Sequence, residues 1–64
     1  MFKKFIKRII EAENKQDAID NVFYGTEFNE DGSVKVYGID IAYQHEKITW
    51  EEHEMLLELI GKMA

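Results

Sequence analysis

The stretch Thr26-Glu27-Phe28-Asn29-Glu30-Asp31-Gly32-Ser33-Val34-Lys35-Val36-Tyr37 decides the fold class, because the clearest patterns on either side of it are helical. Val34 to Tyr37 alternates and is rich in β-branched and aromatic residues, and Asn29-Glu30-Asp31-Gly32 is a turn signal. A β-hairpin follows, with strands near 23–28 and 33–38 and Gly32 in the left-handed position of the loop. With helices on both sides, the chain is α+β.

Upstream, Phe2, Phe5, Ile6, Ile9 and Ile10 recur at i, i+3, i+4, i+7 and i+8, the spacing of one helical face. Lys3, Lys4, Lys7 and Arg8 occupy the other face. An amphipathic helix is expected over 2–13. Asn14 then caps a short second helix, with Asp17 in its first turn and Ala18, Ile19, Val22 and Phe23 as its apolar stripe.

Downstream, residues 39–47 admit two readings. Tyr37, Ile39, Ile41 and Tyr43 alternate as in a strand, whereas Asp40 can cap a short helix carrying Ala42, Tyr43 and Glu46. The helix is preferred. Thr49-Trp50-Glu51-Glu52 is a capping box, so a last helix begins at Trp50 and runs to about Met63. Glu51, Glu54, Glu58 and Lys62 form its charged strip. His53, Met55, Leu56, Leu57, Leu59, Ile60 and Met63 cover an arc wider than the ~100° one core requires. Leu56, Leu57 and Ile60 can face the core, and Met55, Leu59 and Met63 then call for cover from elsewhere.

At 64 residues the chain has room for one domain, 1–64, and one small core. There is no cysteine, which removes disulfides and thiolate metal sites and points to the cytoplasm. No apolar run is long enough to span a bilayer, and the basic opening MFKKFIKRII lacks the continuous apolar region of a signal peptide. The net charge of −5 is unevenly spread: residues 1–10 hold four basic side chains and no acid, and the rest holds four lysines against thirteen acids.

From Lys47-Ile48-Thr49-Trp50-Glu51-Glu52-His53-Glu54, with Leu56 and Leu57 behind it, the sequence resembles short uncharacterised proteins encoded on phages and integrative elements of Gram-positive bacteria. The resemblance covers mainly residues 39–63. It implies an accessory role on a mobile element and assigns no site residue.

No arrangement of residues carries catalysis. His45 and His53 are eight apart across a helix break, which matches no metal motif, and His53 is expected to be structural. Ser33 lacks a triad context, and the four glycines form no phosphate loop. No enzyme, cofactor or metal is expected. The expected function is a non-catalytic interaction or regulatory protein with a protein partner. Met55, Leu59 and Met63 are the candidates for that contact, with a second copy of the chain as the first partner, in a two-fold homodimer. The acidic row Glu51, Glu54 and Glu58 offers an alternative, an inhibitor that mimics nucleic acid before a host nucleic-acid-binding enzyme. Lys3, Lys4, Lys7 and Arg8 offer a third, weak contact with nucleic acid or a membrane surface. The acidic body and the absence of interleaved aromatic rings argue against it.

Overall fold

A computed structural model describes all 64 residues. The order is α1 (Phe2–Glu11), α2 (Lys15–Ala18), a π-helical turn (Ile19–Phe23), β1 (Glu27–Phe28), β2 (Val34–Val36), α3 (Ile39–Gln44) and α4 (Trp50–Gly61). The fold is α+β. No helix is long and apolar enough to cross a membrane.

Helix α1 turns Phe5 and Ile9 into the core and leans Phe2 and Ile6 against it. Ile10, expected in the same stripe, is instead 71% exposed. It sits at the margin of the face, and the helix stops one residue later, at an extended Ala12 whose N–H donates to the Ile9 carbonyl. Arg8 leaves the basic face altogether. Its guanidinium donates from Nη1 to the Tyr37 carbonyl (2.9 Å) and from Nη2 to the Asn21 carbonyl (2.7 Å). One planar fork thus ties α1 to the π-helical turn and to the end of the hairpin, a geometry the single ammonium of a lysine does not reproduce.

Asn14 caps α2 by accepting from the Asp17 N–H at 2.9 Å. The helix then widens, with the Tyr24 N–H reaching back five residues to the Ile19 carbonyl (3.0 Å). Ala18 and Val22 are buried, with Ile19 and Phe23 packed at the edge of the core. The Asp17 carboxylate accepts from the Glu13 N–H and from the Asn21 side chain, and these bonds, in that order, hold its pKa below the ordinary carboxylate value. Its contribution to stability is therefore complete above the unfolded value, near pH 4, and is lost as the pH falls through the lower folded one. Thermal melts between about pH 5 and pH 2 are expected to show a shallower acid-side decline for Asp17→Asn than for wild type. Equal slopes would remove Asp17 from the acid response.

The hairpin is shorter than its sequence implies. The strands expected over 23–28 and 33–38 contract to Glu27–Phe28 and Val34–Val36, paired antiparallel as Glu27 with Val36 and Phe28 with Val34, with a bulge between. Phe23 belongs to the π-helical turn, and the Gly38 N–H donates to the Thr26 hydroxyl (2.8 Å) rather than to a ladder carbonyl. A longer ladder would also lack cover, since Phe28 is already 59% exposed. Gly32 takes φ +89°, as its position in the loop requires.

Residues 39–44 are helical. Gly38, not Asp40, occupies the cap position; Asp40 lies in the first turn and accepts from the Ile41 N–H. Ile39 and Ala42 are fully buried, so the apolar alternation that allowed a strand serves a helix with one narrow buried face. Glu46, expected within this helix, lies beyond it with φ +59°. The Lys47 N–H bonds the Ala42 carbonyl and the Glu46 N–H bonds that of Tyr43, which is a Schellman end with glutamate where glycine is usual.

The capping box of α4 is complete: the Thr49 hydroxyl accepts from the Glu52 N–H (3.1 Å) and the Glu52 carboxylate from the Thr49 N–H (2.9 Å). Such a cap contributes about 1 kcal/mol. The helix ends at Gly61, two residues before the expected Met63, and the Lys15 N–H closes the structure by donating to the Ala64 carbonyl. Leu56 and Ile60 meet Phe5, Ile9, Ala18, Val22, Ile39, Ala42 and Ile48 in a core of nine side chains. The Cα trace extends 37 × 24 × 14 Å. Its shortest dimension corresponds to two layers of helix with axes ~10 Å apart, so each layer keeps one face open to solvent.

Candidate functional site

Large side chains left outside a thin slab identify its candidate surfaces. Along one flank of α4 lies a continuous row of rings. Tyr24 meets Phe23 edge to face (4.6 Å between centroids), and Phe23 faces His53 at 6.1 Å. His53 packs on Tyr43 (4.8 Å) and stacks on Trp50 (5.4 Å, 21° between planes). Tyr24 is 62%, Trp50 54% and Tyr43 37% exposed.

Local structure explains the row. The capping box places Trp50 at the first helical position of α4, with its ring 5.6 Å from that of Tyr43. His53, one turn later, falls between Trp50 and the core. The Schellman end of α3 turns the chain sharply, bringing Tyr43 against both. His53 Nδ1 is buried without a hydrogen-bond partner. That leaves an imidazole serving chiefly as a ring between other rings. His45 packs elsewhere, edge-on to Tyr37 at 5.8 Å, so the two histidines belong to separate stacks.

The row continues into grooves at both ends. At one end Tyr43, Glu46, Lys47, Ile48, Thr49 and Glu52 line a notch of about 550 Å³. At the other, Ile19, Phe23, Tyr24, Leu57, Ile60 and Gly61 line an apolar groove of about 330 Å³, with Lys15 at its margin. Gly61 lines that groove without a side chain, and nothing lies within 4 Å of the position its Cβ would take.

The residues expected from the sequence to bind a partner are dispersed. Met55 is 57% exposed, but Leu59 and Met63, expected to lack cover in a single copy, pack against the core. Phe2 and Ile6 of α1 share with Met55 and Leu59 a groove of about 270 Å³ on the opposite flank of α4 from the aromatic row. The arc of α4 is wide because two flanks are used, one by α1 and one by the rings. Glu51 and Glu54 are exposed and without an ion pair, whereas Glu58 meets Lys62 at 3.8 Å in a contact open to solvent and of little energetic weight. Lys3, Lys4 and Lys7 remain exposed, and Arg8 is committed to the two backbone carbonyls. Lys35, which the sequence reading did not single out, joins Lys4 and Arg8 around a groove of about 280 Å³ between α1 and β2.

Trp50, Tyr43 and Tyr24 are not marked as contact residues by the sequence. Trp50 reads there as part of the capping box, although its place one turn before His53 puts it on that flank of the helix. No protein-family model, curated protein or solved structure matches this chain.

Proposed function

We propose that the chain is a non-catalytic interaction protein of the cytoplasm, an accessory of a mobile genetic element, whose docking face is the aromatic row from Tyr24 to Trp50. The observation that carries the reading is the exposure of the only tryptophan, 54% accessible within a packed group of rings. Tryptophan and tyrosine are enriched where proteins meet, because they bring a large rigid area and few torsions to order. A contiguous apolar surface on a small chain marks such a site. The nine core side chains are all apolar, and the one buried polar side-chain atom without a partner, His53 Nδ1, lies among the rings. Binding is better supported than acid–base chemistry, which relies on titratable groups held in altered surroundings. The absence of cysteine supports the cytoplasm, and the likeness of residues 47–54 to phage-encoded chains supports the mobile element.

The test is site-specific photo-crosslinking in a Gram-positive host. With the photoreactive residue at Tyr24 or Tyr43, a discrete adduct is expected that is lost on Trp50→Ser. With it at Ile10 or Asn29, none is expected. Equal adducts from all four positions, or none from any, would reject the row as the docking face. An adduct of twice the protein's own mass would identify a second copy as the partner.

Inhibition by acidic mimicry is a second reading, favoured by the unpaired carboxylates of Glu51 and Glu54. It requires a nucleic-acid-binding enzyme as the adduct, released from the protein by added DNA.

A further inference from the structure

The row of rings has a polarity. Its notch end is ringed by carboxylates: Glu46 and Glu52 line the notch with Tyr43, Glu51 follows Trp50 in the chain, and Glu54 lies one turn beyond Trp50 on the same side of α4. None of these makes an ion pair, since the one within 4.0 Å in the whole chain joins Glu58 to Lys62. Two lysines border the face. Lys47 lines the notch but its Nζ lies over the Tyr37 ring at 5.9 Å, and Lys15 stands at the opposite, apolar end.

We infer that the partner presents a cationic segment, an extended stretch whose arginine stacks on Trp50 and Tyr43 among the carboxylates of Glu46, Glu51 and Glu54. An apolar side chain of the same segment lies further along α4, in the groove at Leu57 and Gly61. This rests on the aromatic row being the docking face. A guanidinium is suited to the notch end because it stacks on aromatic faces and accepts carboxylates at its edge simultaneously. The notch end sets four carboxylates against Lys47, whereas the lining of the other groove has Lys15 and no acid, and this difference sets the direction of the segment. From Trp50 the groove begins about 10 Å away at Leu57 and ends about 16 Å away at Gly61, at 1.5 Å of helix per residue. An extended chain covers that distance in about three to five residues.

The backbone at Glu46 supports the assignment. Its φ of +59° is a conformation in which glycine is preferred, yet a carboxylate stands there, at the rim of the notch. A glutamate at a position of backbone strain is consistent with use of the side chain itself.

The probe is a blocked peptide with leucine and arginine separated by three serines, compared with the same peptide carrying citrulline, the neutral isostere of arginine. Trp50, as the only tryptophan, reports binding by fluorescence, and amide shifts locate it. The arginine peptide is expected to bind saturably with shifts at Tyr43, Trp50, His53 and Leu57, and the citrulline peptide about tenfold more weakly. Glu51→Gln with Glu54→Gln keeps the fluorophore and is expected to weaken the arginine peptide alone. Glu46→Gly is expected to raise the melting temperature by relieving the left-handed backbone and yet to weaken the arginine peptide about threefold. Equal affinity for both peptides overturns the cationic assignment and leaves the row as a face for an apolar segment. No binding at millimolar peptide overturns it also, as do shifts that follow the hairpin acids Glu27, Glu30 and Asp31 as strongly as Trp50. Failure of the crosslinking experiment strikes the docking face itself, so the two results are separable.

Discussion

Phe5→Ala is expected to leave the domain largely unfolded at room temperature. Phe5 is 2% exposed and belongs to the face of α1 that packs on α4. Truncating a buried phenylalanine costs about 3–5 kcal/mol, through lost burial and the cavity left behind. At about 0.05–0.15 kcal/mol per residue, a chain of this length has only about 3–10 kcal/mol of stability in total. Arg8 lies over the Phe5 ring at 5.6 Å, so the same truncation also removes the platform on which the fork of α1 rests. Urea titration followed by circular dichroism should show a midpoint near zero for Phe5→Ala. Phe5→Leu, which keeps most of the volume, should stay folded at a cost below about 2 kcal/mol. A Phe5→Ala midpoint within error of wild type would mean that the core lies elsewhere.

Gly38→Ala is the second large effect, expected to cost about 2–4 kcal/mol from overpacking and a displaced hydrogen bond. A Cβ at this buried position would lie 2.7 Å from the Phe23 carbonyl oxygen, 2.8 Å from the Thr26 hydroxyl and 3.0 Å from the Gly25 nitrogen. Two of these are backbone atoms, which cannot swing aside as a side-chain tip does. The strain is transmitted to both neighbours. Ile39, fully buried at the start of α3, would be pushed from the core, and the Gly38 N–H would leave the Thr26 hydroxyl. Thr26→Ala separates these contributions, since it removes the hydrogen bond without adding volume and should cost about 1 kcal/mol. If Gly38→Ala melts with wild type, the backbone around Gly38 gives way and the close approach to the Phe23 carbonyl is not needed for stability.

What the sequence made legible was local. The capping box at Thr49 and Glu52 closes over three residues, the apolar face of α1 repeats within two turns, and Gly32 answers to its own loop. Each is set by neighbours in the chain. The features that escaped depend on distant partners: Arg8 meets Tyr37 from 29 residues away, and Gly38 meets Thr26 from 12. The strands were overestimated because β-branched alternation at Val34 and Val36 does not tell how far a ladder will be covered.

The candidate site was legible only at its edges. The width of the apolar arc on α4 is legible in the sequence, but Met55, Leu59 and Met63 read as its uncovered part because nothing in the sequence tells on which flank α1 will lie. It lies on theirs, which leaves the opposite flank to the rings. Glu51 and Glu54 are legible as part of a charged row; in α4 they are the chain neighbour of Trp50 and the residue one turn beyond it. Tyr43 could not have been added without the turn at Glu46.

The π-helical turn between Ala18 and Tyr24 also bears on how this chain tolerates changes in length. A turn closed by a five-residue step carries one residue more than an α-helical turn needs. Deleting Asp20, which is exposed, would let the loop tighten into an ordinary helix while Ala18 before it and Val22 after it keep their directions into the core. The turn is thus an expansion joint: a lost residue is taken up where it occurs, and the spacing between α1, the hairpin and the aromatic row is preserved.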